Sequence, residues 1–180
     1  MGAMFAFDAL NVSGQRLSSV PLMGGAPSLA LGLALARPDV GVIVVDGDAS
    51  LLMQLGGLVT VAEARAANVI HFVIQNSTQF AGVSNLAVPG GQSVDFCAMA
   101  LAAGYRSAHT FDDAAALGVA LPELLAAPGP LFVALKVEPA PSRLGAETGT
   151  PEIPDQQFQR MRLEAEQLGV WYATHGGVVA

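Results

Sequence analysis

The sequence predicts an α/β fold in which helices cover both faces of a mostly parallel sheet. Short runs of β-branched residues alternate along the chain with longer runs rich in alanine and leucine, which is the pattern of repeated βαβ units. The short runs are continuously apolar, as expected of strands that are buried on both faces. We therefore expect a three-layer α/β/α architecture.

The same pattern gives the individual elements in order. The apolar runs predict three strands and a weaker fourth, at 41–45, 68–75, 130–137 and 105–108. Ala/Leu-rich and polar runs predict five helices, at 25–37, 49–66, 93–103, 113–126 and 154–168. A further strand is expected before residue 25, but it is poorly marked, because 5–12 mixes apolar and turn-forming residues.

The chain is expected to form a single domain over residues 1–180, because this length matches the usual size of one hydrophobic core. The segment 138–154 follows the last predicted strand and is rich in proline, glycine and threonine. Residues 141–180 are therefore predicted to be a C-terminal tail with one polar helix, too short to build a core of its own.

The composition limits the classes of partner. Only 13% of the residues are charged, against about a quarter in an ordinary soluble domain, which predicts a large apolar interface with another chain. The net charge of −7 excludes a nucleic-acid partner, which requires basic residues to neutralise phosphates. No apolar run is long enough for a membrane span. With one cysteine and no apparent secretion signal, a cytoplasmic location is expected.

Polar side chains follow two of the predicted strands at the point where each strand ends. Asp48 follows the strand 41–45, and Asn76 follows the strand 68–75. Their spacing of 28 residues (76 minus 48) suits one strand–helix–strand crossover, which would bring the two side chains to the same sheet edge. Carboxylate and amide oxygens suit Mg²⁺. The alternative is that Asp48 or Ser50 simply caps a helix and that Asn76 lies in a turn.

These residues resemble the motif of the diphosphate-binding domain of thiamine-diphosphate enzymes. The motif is Gly-Asp-Gly, some 25–30 residues, then Asn-Asn; its counterparts here are Gly47–Asp48–Ala49 and Gln75–Asn76. The resemblance implies the thiamine-diphosphate-binding fold. It also implies that Asp48, Asn76 and the carbonyl of Thr78 bind Mg²⁺.

The cofactor-binding residues are implied by the same resemblance. The amide of Ala49 and the hydroxyl of Ser50, next to Gly47, would contact the diphosphate of thiamine diphosphate. Met23 stands where the family has the bulky apolar residue that bends the cofactor, and the carbonyl of Pro21 would accept a hydrogen bond from the aminopyrimidine. Two of the departures from the family are Ala49 in place of glycine and Pro21 where glycine is usual.

Segments 89–92, 94–96 and 103–105 resemble the phosphonopyruvate and sulfopyruvate decarboxylase branch of this family. The resemblance implies the beta-type subunit of a two-chain decarboxylase that acts on a small 2-oxo acid. No catalytic residue is expected in this chain, since the essential glutamate would lie on a pyrimidine-binding partner subunit. Two alternatives stay open: a carboligase of the acyloin- or acetolactate-forming type, and a cofactor-free regulatory subunit.

Overall fold

The structure is a computed structural model that describes residues 2–12, 14–142 and 153–175. The helices are α1 (Gly2–Ala9), α2 (Ala26–Ala36), α3 (Asp48–Met53), α4 (Gly56–Glu63), α5 (Phe96–Ala103), α6 (Ala114–Ala126) and α7 (Pro154–Thr174). The strands are β1 (Val42–Gly47), β2 (Val69–Gln75), β3 (Thr78–Gln79), β4 (Leu86–Ala87), β5 (Ser107–Phe111) and β6 (Leu131–Lys136).

A four-stranded parallel sheet forms the middle layer, in the order β1-β2-β6-β5. His71 of β2 lies opposite Val44 of β1 and Phe132 of β6, which sets the register across the centre. One sheet face packs on α2, α4 and α5, and the other packs on α6 through a smaller cluster that includes Leu124. The predicted α/β/α architecture is therefore confirmed.

The structure differs from the sequence prediction at the N-terminus. Residues 5–9 of the stretch 5–12, where a strand was expected, belong instead to helix α1, whose Met4 is buried. Alanine, methionine and phenylalanine in this stretch are compatible with a short helix as much as with a strand. Consequently β1 is an edge strand of the described sheet.

The strand predicted at 105–108 begins two residues later, as β5. The reason is the end of α5, where Gly104 adopts a left-handed conformation with φ of 107°. The amides of Gly104 and Tyr105 donate to the carbonyls of Leu101 and Ala100, which is the Schellman arrangement. Tyr105 therefore belongs to the helix cap and not to the strand.

The helix predicted over 49–66 is two helices, α3 and α4. The chain leaves the helical conformation at Gln54, whose φ is −141°, and α4 begins at the pair Gly56 and Gly57. Glycine has a low helix propensity, so this pair is a natural point for the chain to change direction. The two-residue strands β3 and β4 form a small antiparallel ribbon that was not predicted.

Helix α7 extends to Thr174, six residues beyond the predicted end at 168. Arg37, which follows α2, contacts the C-terminal end of α7. Its guanidinium donates a hydrogen bond to the carbonyl of Tyr172 and lies over the Tyr172 ring. In the middle of the same helix, Glu164 accepts hydrogen bonds from the amide and the hydroxyl of Ser18. Residues 143–152 of the predicted tail lie outside the described residues. None of the described helices combines the length and apolar character needed to cross a membrane.

Candidate functional site

Three segments meet at the carboxyl-terminal edge of β1 and β2. They are the β1–α3 junction at 46–50, the turn after β2 at 76–79, and the loop 21–25 that leads into α2. The strands are parallel and adjacent, so both end at the same sheet edge, where ligands bind in open α/β sheets. All the residues predicted as cofactor or metal ligands lie in these segments.

Asp48 is the centre of this arrangement and is 1% exposed. Its Oδ1 accepts a hydrogen bond from the amide of Ala49 at 2.8 Å, and its Oδ2 accepts one from the amide of Ser77 at 2.6 Å. Burial raises the pKa of the Asp48 carboxyl, while the hydrogen bonds from Ser77, Ala49 and Asn76 act in the opposite direction. The Asp48 carboxylate, at the start of α3, is thus anchored to the turn after β2.

The turn after β2 is held by its own side chains. The Oδ1 atom of Asn76 accepts hydrogen bonds from the amide and the hydroxyl of Thr78, both at 3.0 Å. Ser77 has a φ of 58°, a conformation that is uncommon for a residue other than glycine. This tight turn presents the predicted metal ligands Asn76 and Thr78 next to Asp48.

The loop 21–25 lies against both of the other segments. The amide of Gly24 donates to the hydroxyl oxygen of Ser50 at 2.8 Å. The side-chain amide of Gln79 donates to the sulfur of Met23 at 3.8 Å. Met23 remains 40% exposed, and Pro21 is half-buried in the turn that precedes it. Met23 is therefore held in place and is still open to a ligand or to another chain.

The departure at Ala49 does not strain the backbone. Ala49 lies in the first turn of α3 and is absent from the described residues with positive φ, so an alanine Cβ is accommodated there. Gly47 is extended, with φ of −109°, and open space surrounds the position of a Cβ. Ala49 also lines a cavity of about 290 Å³ together with apolar residues of α3 and the segment 88–89.

The donor set fits a hard cation with few carboxylate ligands. Among the described residues, no group of three or more His, Cys, Asp or Glu side chains could hold a metal ion. Asp48 offers two carboxylate oxygens, each with a lone pair beyond its present hydrogen bond, and Asn76 and Thr78 add an amide and a main-chain oxygen. Mg²⁺ typically binds one or two carboxylates plus phosphate oxygens, so these residues suit it.

The sequence did not predict a cluster of three buried polar side chains that lies next to this site. Asp46, His71 and Tyr105 are 5%, 0% and 4% exposed and lie on one face of the sheet. Burial raises the pKa of Asp46 and of Tyr105, and it lowers the pKa of His71 to about 3. An isolated histidine in an apolar run suggests a core residue whose hydrogen bonds are satisfied. His71 is a core residue, but its Nε2 atom has no partner.

Comparisons with known proteins identify the family to which the chain belongs. The family profile described as thiamine pyrophosphate enzyme, C-terminal TPP binding domain, matches residues 11–135. A phosphonopyruvate decarboxylase of Streptomyces viridochromogenes is 37% identical over 173 residues, which is 92% of this chain and 41% of the relative. A sulfopyruvate decarboxylase subunit beta of Methanothermobacter thermautotrophicus is 35% identical over 65% of this chain and 59% of the relative. The chain therefore spans less than two thirds of the length of each of these relatives.

A solved structure supports the fold. It is the structure of a Mycobacterium smegmatis protein described as a thiamin diphosphate-dependent enzyme. The match covers 67% of this chain and 22% of the Mycobacterium smegmatis chain. The TM-score is 0.52 at 24% identity. With the profile match over more than half of the sequence, the chain belongs to the thiamine pyrophosphate enzyme family and contains its C-terminal TPP-binding domain.

Proposed function

We propose that this chain is the beta-type subunit of a two-chain, thiamine-diphosphate-dependent decarboxylase that acts on a small 2-oxo acid. The observation that carries the proposal is the meeting of Asp48, the turn 76–78 and the Met23 loop at one sheet edge. In the proposed complex, this chain binds the metal and the cofactor diphosphate.

Mg²⁺ would be held by the carboxylate of Asp48, the side-chain oxygen of Asn76 and the carbonyl of Thr78. The hydrogen bond from the amide of Ser77 orients the Asp48 carboxylate in advance, so little side-chain entropy is lost when a cation binds. The amide of Ala49 and the hydroxyl of Ser50 would contact the diphosphate beside Gly47.

Met23 and the carbonyl of Pro21 would position the aminopyrimidine. The two contacts of this loop, from Gly24 to Ser50 and from Gln79 to Met23, hold it against the proposed diphosphate site. Thiamine diphosphate supplies the carbanion-stabilising chemistry of decarboxylation when bound. This chain contributes position and charge, and the essential glutamate would come from the pyrimidine-binding partner subunit.

Exposed apolar residues near the site support such a partner. They are Leu22, Met23, Met53, Leu55 and Val59, each at least 37% exposed. Apolar surface of this kind, in a chain with only 13% charged residues, is typical of a buried interface between chains. A relative that shares this region is itself named as a subunit beta.

The first experiment compares Asp48→Asn with Asp112→Asn, an exposed position that follows β5 and is separated from β2 by β6. Each variant is purified with the chains that accompany it. Binding of thiamine diphosphate is then measured by calorimetry across a Mg²⁺ titration. Asp48→Asn should lose Mg²⁺-dependent binding, and Asp112→Asn should retain it. Wild-type Mg²⁺ dependence in Asp48→Asn would overturn the metal assignment.

Native mass spectrometry and product analysis test the rest of the proposal. The wild-type complex should carry a second, different chain and the cofactor. With a 2-oxo acid as substrate it should release an aldehyde. An acyloin or acetolactate-type product would identify a carboligase instead. A cofactor-free assembly would identify a regulatory subunit.

A further inference from the structure

A line of three buried polar side chains runs beneath the proposed metal site. Asp46 lies on β1, His71 on β2 and Tyr105 in the cap of α5. The Nδ1 atom of His71 is 3.2 Å from the Tyr105 hydroxyl, and its Nε2 atom is 4.0 Å from Oδ2 of Asp46. Of the described side-chain atoms that are fully buried, only these Nε2 and Oδ2 atoms have no hydrogen-bond partner. They form a pair that stands about 1 Å too far apart to bond.

The aromatic packing fixes the direction of the His71 ring. Phe132 packs edge-on against His71 at 5.2 Å and against Tyr105 at 5.8 Å between ring centroids. A ring clamped in this way cannot turn its Nε2 atom towards water. A buried polar atom without a partner destabilises the folded state, so closing the gap to Asp46 would stabilise the protein.

Hydrogen-bond chemistry selects one arrangement of protons in this line. A carboxylate only accepts, so the Nε2 atom of His71 must carry the hydrogen that faces Asp46. The Nδ1 atom is then an acceptor and takes the hydrogen of the Tyr105 hydroxyl. Of the two neutral tautomers of His71, only this one satisfies all three side chains next to a carboxylate.

The line connects directly to the proposed site. The Oδ1 atom of Asp46 accepts a hydrogen bond from the amide of Gly47 at 2.8 Å, and the next residue is Asp48. A cation shared by Asp48 and Asn76 would tie the ends of β1 and β2 together. A hydrogen bond between Asp46 and His71 would link the same two strands next to the cation. The two strands are already paired at this level, Asp46 with Val73 and Gly47 with Ile74, so closure is a shift of the Asp46 side chain, which ordering of the β1–α3 junction by the cation would favour.

We propose that His71 is a positioning residue for the metal and diphosphate site: its Nε2 atom closes onto Asp46 when the site is loaded and thereby holds the β1–α3 junction that presents Asp48. The inference rests on the proposed function of that site. Because coupling between two binding events is reciprocal, loss of the contact must also weaken loading of the site.

The wild-type protein allows a direct test, since it has only three histidines. The full chain is labelled with ¹⁵N-histidine, and its ring signals are recorded before and after addition of Mg²⁺ with inorganic diphosphate. His109 and His175 are exposed and serve as references. We expect the Nε2–H tautomer at His71 and a downfield shift of its Nε2 proton on loading. The Nδ1–H tautomer, or an unchanged signal while diphosphate binds, would overturn the inference.

Failure of the proposed function would give a different experimental result from failure of the positioning role. If Mg²⁺ and diphosphate do not bind the wild-type chain by calorimetry, the site assignment itself is wrong and the inference falls with it. If they bind and only the His71 signal stays still, the proposed function stands and the positioning role is lost.

Variants separate positioning from general core packing. His71→Phe keeps an aromatic ring and removes the donor to Asp46; it should weaken binding of Mg²⁺ and diphosphate about tenfold, as is typical for groups that support a metal ligand. Tyr105→Phe is the matched control, since it removes the partner of Nδ1 and leaves the Nε2 side intact; its affinity should stay within about threefold of wild type. His71→Gln, which restores an N–H donor, should recover part of the loss. Equal losses in His71→Phe and Tyr105→Phe would refute the proposal.

Discussion

Gly24 offers a sharp test of how the Met23 loop is built, through the substitution Gly24→Ala. The glycine is buried, has a φ of 82° and donates its amide to Ser50. A Cβ at this position would lie 2.4 Å from Cβ of Gln54 and 3.1 Å from the carbonyl oxygen of Ser50. Ser50 lies in the first turn of α3 and Gln54 directly follows the helix, so the loop would have to move away from α3.

The expected cost follows from two effects. An alanine in the left-handed region costs about 1–2 kcal/mol, and overpacking a tight contact costs about 1–3 kcal/mol. Gly24→Ala should therefore lower the free energy of unfolding by about 2–5 kcal/mol. Gly32→Ala is the matched control: Gly32 is exposed within α2, has open space around its Cβ position, and its replacement should stabilise the protein by about 0.5–1 kcal/mol.

Urea unfolding followed by circular dichroism measures both substitutions on one scale. The midpoint should fall for Gly24→Ala and rise slightly for Gly32→Ala, with an unchanged slope for both. A Gly24→Ala protein as stable as wild type would show that the loop is not packed on α3 as described. The account of how Met23 is held would then be wrong.

Three further substitutions probe other contacts. Ser50→Ala removes the acceptor of the loop amide, so it should cost about 1 kcal/mol in urea unfolding and speed hydrogen exchange of that amide; unchanged exchange would contradict the hydrogen bond. His71 has a pKa of about 3 in the folded chain and 6.5 in the unfolded chain, so the unfolded state binds more protons between these values. The contribution of His71 to the free energy of unfolding therefore falls by up to about 1.4 kcal/mol for each pH unit below pH 6.5. The urea midpoint of His71→Phe should accordingly depend less on pH than that of the wild type between about pH 5 and 7. Arg37→Ala should speed amide hydrogen exchange at Tyr172 and His175, because the guanidinium donates hydrogen bonds to the carbonyls of both residues. Unchanged exchange rates would show that Arg37 does not stabilise this end of α7.

The sheet was predictable because three of its strands are continuous apolar runs, although only β2 and β6 are buried on both faces and Ile43 of the edge strand β1 is exposed. The runs 41–45, 68–75 and 130–137 are apolar throughout, and β1, β2 and β6 lie within one or two residues of them. The errors fall where a local feature overrides composition. The Gly104 cap displaced a strand, and the Gly56–Gly57 pair divided a helix. These turns depend on single residues, which a pattern averaged over a window does not register.

The site was predictable in part for a similar reason. Asp48 and Asn76 stand immediately after buried strands, and their spacing alone suggested neighbouring strand ends. The role of Ser77 as a donor to Asp48 depends on its φ of 58°, which the residue type does not indicate. The pairing of His71 with Asp46 depends on the strand order, because the two side chains become diagonal neighbours only once β1 and β2 are adjacent.

The bond between Glu164 and Ser18 has a consequence for biosynthesis. The two residues are 146 positions apart, and Ser18 begins the segment that leads to Pro21 and Met23. A ribosome delivers the sheet, α5 and α6 well before it delivers α7. Contacts at such long sequence separation form late, so the loop gains its last anchor only when the final helix has emerged. The nascent chain therefore forms its sheet before the contact between Ser18 and Glu164 anchors the segment that leads into the candidate site.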